Sequence, residues 1–106
     1  MDWVKIFSSV GQMESSMVIN KPRLLLVRNK RLCLIRMENQ IVAVEDKCPH
    51  NGESLSRGQV NFLGEVVCPW HNYRFDLTTG RESGERTRDL TTYPVKMDSE
   101  GVFVGL

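Results

Sequence analysis

The chain places both of its histidines beside cysteines, in two short clusters, Cys48-Pro49-His50 and Cys68-Pro69-Trp70-His71. Seventeen residues separate them. If the four side chains serve one purpose, the intervening segment must close into a compact hairpin that sets the clusters face to face. Closing that loop costs roughly 2–3 kcal/mol more than closing a very short one. Metal ligation offsets such a cost readily, because its free energy is also folding free energy. Each cluster offers one soft thiolate and one borderline imidazole, near enough in sequence to converge on a single inorganic core.

Outside the clusters, helical periodicity is almost absent. Trp3 to Phe7 reads as an opening strand, and Glu14 to Asn20 is ambiguous. Leu24 to Val27, Leu32 to Met37 and Ile41 to Val44 are apolar segments broken by the polar pairs Asn29-Lys30 and Glu38-Asn39. Three strands joined by tight turns are therefore predicted, the last leading directly into Cys48. Between the clusters, Gln59 to Phe62 and Glu65 to Val67 flank a Leu63-Gly64 turn. Tyr73 to Asp76 makes a further short strand, closed by Thr78-Thr79-Gly80. Arg81 to Asp89 is polar and predicted to be flexible. Tyr93 to Met97 and Val102 to Leu106 end the chain as a hairpin about Ser99-Glu100-Gly101. The pattern predicts one all-β domain over residues 1–106, in which residues from about 46 to 80 form a small excursion carrying both clusters.

Composition excludes several classes. A chain of 106 residues is one small domain with a modest core. Its 14 Lys and Arg nearly balance 13 Asp and Glu, so no concentrated basic surface for nucleic acid is expected. Apolar runs such as Leu24 to Val27 fall far short of a membrane span, and no secretion signal is expected at the start. The third cysteine, Cys33, lies alone in Leu32-Cys33-Leu34-Ile35 and reads as a small buried hydrophobe on a strand. This cysteine usage fits a reducing cytoplasm.

Two thiolates and two imidazoles, one of each per loop, point first to a [2Fe–2S] centre with mixed ligation. A single tetrahedral zinc accepts the same Cys₂His₂ set. The usual zinc pattern, however, begins with a cysteine pair and ends with two histidines on a helix, and no helix is predicted after His71. Turn chemistry suits either metal. Pro49 and Pro69 fix φ after each cysteine and remove an N–H that would need a partner. Gly52 and Gly58 supply backbone freedom around the first loop, and Asn72 tolerates positive φ. Trp70 and Leu55 are apolar side chains in polar loops, as expected where something inorganic has to be covered.

Cys48-Pro49-His50-Asn51-Gly52, continued through Leu55 and Gly58 to Cys68-Pro69-Trp70-His71, Tyr73, Phe75-Asp76 and Gly80, closely resembles the Rieske ferredoxins. The resemblance extends to Tyr93-Pro94-Val95. It implies an antiparallel β-sandwich or partly open barrel with a small inserted cluster-binding subdomain. It also implies that Cys48 and Cys68 bind the inner iron of one [2Fe–2S] cluster, and His50 and His71 the outer iron through Nδ1. On this reading the protein is a one-electron carrier with no catalytic residues of its own. Its partners would be a flavin-dependent reductase and a terminal oxygenase or reductase, met through a weak interface near His50 and His71.

Departures from the family refine these expectations. The cytochrome bc-type members carry an extra cysteine in each loop; here Trp70 stands at the second of those places and the first loop has none. Those high-potential proteins also carry a serine and a tyrosine at the positions of Tyr73 and Phe75, both hydrogen-bonding to sulfur. Phe75 has no hydroxyl, so a low-potential centre is expected. Many relatives cover the cluster with a Gly- or Pro-rich third loop, whereas only Gly84 stands among the charged residues 81–89. No histidine remains for the mononuclear iron of an oxygenase. Two further roles belong to the same family: the small subunit of a nitrite reductase and a redox-sensing binding module. Pro49, Asn51, Trp70 and Asn72 would form the docking rim, with Glu53, Arg57 and Arg74 as steering charges.

Overall fold

The computed structural model describes all 106 residues, as ten strands and one short α-helix. The strands form three antiparallel sheets. β1 (Trp3–Phe7) and β9 (Val95–Asp98) flank β10 (Gly101–Gly105) in one of them. The second runs β2 (Arg23–Val27), β3 (Lys30–Arg36), β4 (Ile41–Glu45) and then β8 (Thr92–Tyr93). The third consists of β5 (Gln59–Val60), β6 (Glu65–Val67) and β7 (Arg74–Asp76). No helix is long and apolar enough to cross a membrane.

The expected meander is β2–β3–β4, with Arg23 opposite Leu34 and Leu34 opposite Ala43. Its central strand is apolar on both faces because both faces are buried. Leu32 and Leu34 join Ala43, Ile41, Phe7, Val102 and Val104 in one core. Cys33 and Ile35, pointing the other way, join Val44, Leu55, Val66, Phe75, Leu77 and Leu90 in a second core, together with Cys48 and Cys68. Successive side chains alternate across a strand, so one run of four apolar residues supplies both cores. The expectation for Cys33 holds: it is fully buried.

The structure departs from the sequence reading in four places. A helix, α1 (Val10–Ser16), follows β1, capped by Ser9, whose side chain accepts from the Gln12 N–H at 3.0 Å. Its seven residues complete barely two turns, too few for a periodic signal, yet Met13 and the following Met17 fill the first core. Gln59 to Phe62 does not continue as a strand. Asn61 turns the chain out by accepting from the Leu63 and Glu65 N–H groups, leaving Phe62 exposed. Tyr93 to Met97 is not one strand either: the chain leaves the second sheet after Tyr93 and joins the first at Val95. Pro94, which has no N–H, stands at the crossing, and its carbonyl accepts from the Gly105 N–H at 2.9 Å. Lastly, residues 81–89 are bonded along much of their length. Their backbone pairs with β7 through Asp76 N–H to the Arg81 carbonyl and Ser83 N–H to the Arg74 carbonyl. Arg88 grips the Glu45 carboxylate with both terminal nitrogens.

Candidate metal centre

The first cluster leaves β4 through Asp46, whose buried side chain organises the turn. One carboxylate oxygen accepts from the Ser56 N–H at 2.7 Å and the other from the Ser54 hydroxyl. The Asp46 carbonyl accepts from the Leu55 N–H at 2.6 Å. Within the turn, the Cys48 N–H donates to Glu53 and the Gly52 N–H to Cys48, with Gly52 at φ +79°. The expected role of Gly58 is different from the one observed. Its φ is −83°, available to any residue, but a Cβ there would lie 2.0 Å from the Val67 carbonyl oxygen. Gly58 is a matter of space, letting the turn after Leu55 press onto β6 just before Cys68.

The second cluster joins β6 to β7. The Cys68 N–H donates to the Tyr73 carbonyl at 2.8 Å, closing a tight turn in which both His71 (φ +69°) and Asn72 (φ +57°) are left-handed. Asn72 tolerates this conformation, as its residue type suggests. At His71 it carries a cost of about 1–3 kcal/mol that the surrounding turn must hold. Asn51 of the first loop reaches across, its side-chain oxygen 3.9 Å from the Cys68 sulfur.

The two loops that carry Cys48, His50, Cys68 and His71 meet, and the four side chains fall into two layers. Cys48 and Cys68 are buried in the same core group and free of any disulfide. His50 and His71 are exposed, their ring centroids 5.5 Å apart and nearly perpendicular. Burial pushes the Cys68 thiol up to about 11; the Trp70 amide opposes this, while Cys48 and Glu53 add to it. The Cys68 thiolate therefore forms only against compensating positive charge. No three Cys, His, Asp or Glu side chains gather around a point suited to one ion. The donor set presents sulfur on its buried side and nitrogen on its open side, which suits a group with one dry and one open face.

Leu55 does cover this site, being fully buried. Trp70 does not: it is 57% exposed and stacks on His71 at 5.7 Å. Three further residues complete the site, of which the sequence singled out only Tyr73, as the counterpart of a sulfur-bonding serine. Asp46 shapes the first loop. Tyr73 stacks on the His50 ring at 3.8 Å with the planes 7° apart. Glu82, in the stretch expected to be flexible, is buried and accepts from the Gly84 and Arg86 N–H groups and from the Arg86 guanidinium. Nothing in the local sequence distinguishes Glu82 from the exposed Glu85.

A family model described as the Rieske [2Fe–2S] domain matches residues 7–94. The ferredoxin component of the naphthalene 1,2-dioxygenase system of Pseudomonas aeruginosa is 36% identical over 81 residues, covering 76% of this chain and 77% of that protein. A solved ferredoxin of carbazole 1,9a-dioxygenase from Nocardioides aromaticivorans shares the fold, with a TM-score of 0.83. The match spans 99% of this chain and 98% of that one, at 21% identity. A chain in the complex of reduced oxygenase and oxidized ferredoxin of carbazole 1,9a-dioxygenase gives a TM-score of 0.81 at 27% identity, over 97% of this chain and 92% of that one. The chain belongs to the Rieske [2Fe–2S] domain family. It binds one [2Fe–2S] cluster and carries single electrons, and is not itself an enzyme.

Proposed function

We propose that Cys48 and Cys68 ligate the inner iron and His50 and His71 the outer iron, and that the chain carries electrons to a terminal oxygenase. The observation behind this reading is the layered donor set, a buried thiol pair beneath an exposed imidazole pair. When bound, the cluster supplies a one-electron couple. The two thiolates offset the positive charge of the oxidised core, so an added electron leaves a single negative charge to be accommodated. The buried side is dry, being lined by Leu55, Val66 and Phe75. The imidazole edges are the electron port, and Pro49, Asn51, Trp70 and Asn72 surround them as a small docking rim, as suits a transient redox encounter. Residues 46–80 act as the cluster-binding unit of a single domain.

The acceptor is an oxygenase by analogy with the relatives, whose printed roles are in dioxygenase systems. A flavin-dependent reductase supplies the electron. Free cysteines and no disulfide agree with a cytoplasmic setting. The couple lies at low potential, because Phe75 sits in the same buried group as Cys48 and Cys68 without a hydroxyl to offer.

The test is spectroscopic. The purified protein should show visible absorption that bleaches on reduction, together with the electron paramagnetic resonance of a mixed-ligand [2Fe–2S] centre. Substituting His50 or His71 should abolish that signature. A colourless protein holding one zinc would overturn the reading. Phe75→Tyr should raise the midpoint potential; an unchanged potential would remove the hydrogen-bond argument. Reduced protein mixed with a dioxygenase of the naphthalene type should reoxidise, and failure to do so would remove the oxygenase as acceptor.

A further inference from the structure

Beside His50 stands a column of groups drawn from distant parts of the chain. The His50 imidazole lies flat on the Tyr73 ring, 3.8 Å between centroids. The Arg86 guanidinium carbon lies over the same ring, 3.7 Å from its centroid. Two groups so close cannot share one face, so imidazole and guanidinium sandwich the tyrosine. Arg86 is in turn clamped by Glu82, with Nε donating to one carboxylate oxygen at 3.0 Å and Nη2 to the other at 2.9 Å. Glu82 is itself immobilised: it is buried, it faces Phe75 across an isolated antiparallel bridge, and it also accepts from the Gly84 N–H. The Tyr73 carbonyl meanwhile holds the Cys68 N–H. One residue thus joins the second loop through its backbone, the first loop through its ring, and the third loop through the cation above it.

We infer that Arg86, held by Glu82, is a positioning residue for the cluster: through Tyr73 it fixes the plane of the His50 ring and sets a cation two stacked layers behind that imidazole. The inference deepens the proposed ligand assignment and depends on His50 being a ligand. The physical grounds are three. A guanidinium over an aromatic face is attracted by the ring quadrupole. A bidentate guanidinium–carboxylate pair restricts orientation as well as distance. A ligand whose neighbours fix its ring orientation tunes the metal it binds. The charge favours the reduced state, which carries one more negative charge than the oxidised state. Because the guanidinium is half-exposed and two stacked layers from the imidazole, solvent screens much of its field.

The experiment uses the cluster-loaded full chain and reads the midpoint potential by voltammetry and the g values of the reduced state by electron paramagnetic resonance. Arg86→Gln is expected to disfavour reduction by about threefold to tenfold, tenfold being a fall of about 59 mV, and to change the g anisotropy. Glu82→Gln changes the net charge in the opposite direction, yet should alter the g anisotropy as Arg86→Gln does, because it releases the guanidinium. Arg81→Gln, removing the same charge from an exposed pair with Glu85 outside the column, should leave the g values native. If Arg86→Gln accumulates no cluster, Arg86→Lys takes its place: it keeps the charge but lacks the planar fork, and should change the g values with little fall in potential. Native g values in the Arg86 variant, or equal effects from Arg81→Gln, overturn the inference. Wild-type protein without a mixed-ligand [2Fe–2S] signal would instead overturn the ligand assignment beneath it.

Discussion

The two faces of the β2–β3–β4–β8 sheet are held to the rest of the molecule in different ways. On one face, Leu32, Leu34 and Ala43 meet Phe7, Val102, Val104 and the two methionines at α1, all apolar side chains carried on or beside regular elements. On the other, Cys33, Ile35 and Val44 meet Leu55, Leu77 and Leu90 from turns and loops, and two cysteines with ligating capacity. The only buried charged residues, Asp46 and Glu82, both serve this second half. Burial of apolar area stabilises the first half unaided, at roughly 25 cal/mol per Å². The second half combines a smaller regular framework with buried carboxylates that need their partners and two buried thiols. One sheet therefore separates a base packed from apolar side chains alone from a cap that holds the buried carboxylates and the candidate cluster ligands.

The largest expected effect would expose that difference outright. Removing the cluster, by chelation under reducing conditions or by Cys48→Ser, should release amide protection across residues 46–80 while β1, β9 and β10 stay protected. Hydrogen exchange reads both at once, and uniform loss would mean that the halves are not separable. Leu34→Ala, in the base, should cost about 2–5 kcal/mol in denaturant unfolding and leave the midpoint potential where it was.

Glu82→Gln sharpens the account of the cap. Hydrogen bonds to a buried charge suggest a loss of about 1–2 kcal/mol at neutral pH, after discounting for the half-exposed Arg86. The Arg86 side chain holds the Glu82 carboxyl well below the usual carboxylate range, against the opposing effect of burial. A carboxyl lowered on folding stabilises the folded state fully above its unfolded pKa, and that contribution disappears as pH falls through the folded value. The difference between wild type and Glu82→Gln should therefore be full at pH 7 and narrow below about pH 4. A difference that widened on acidification would contradict the sign. The smallest effect is expected at Cys33, whose thiol is pushed far up by burial and then by the charge of Asp46. Cys33→Ala should cost about 1 kcal/mol, with cluster content and potential native, since this cysteine faces the cap core without being part of the donor set.

Much of the β framework was legible because it depends on short-range pattern. β2, β3, β4, β6 and β7 lie close to where alternation and turn pairs put them. The two clusters announced their own proximity, since mixed thiolate and imidazole donors at that spacing have few other uses. What was missed depended on length or on long-range pairing. α1 is too short to show a period. Residues 81–89 look like a solvated loop because the sequence does not show that Glu82 turns inward while Glu85 stays out. Leu55 and Trp70, alike as apolar residues in polar loops, ended one in the core and the other at the surface.

By itself the sequence determined the kinds of donor available, their grouping in two loops, and the apolar alternation from which the strands form. These are properties of residue type and spacing, which local backbone geometry converts directly into structure. Only the tertiary structure decided that β3 would feed two cores, that a carboxylate from the third loop would be buried, and that Arg86, Tyr73 and His50 would stack in one column. Those outcomes depend on contacts between residues far apart in the chain, where the gain from close packing and paired charge exists only once the sheets have come together.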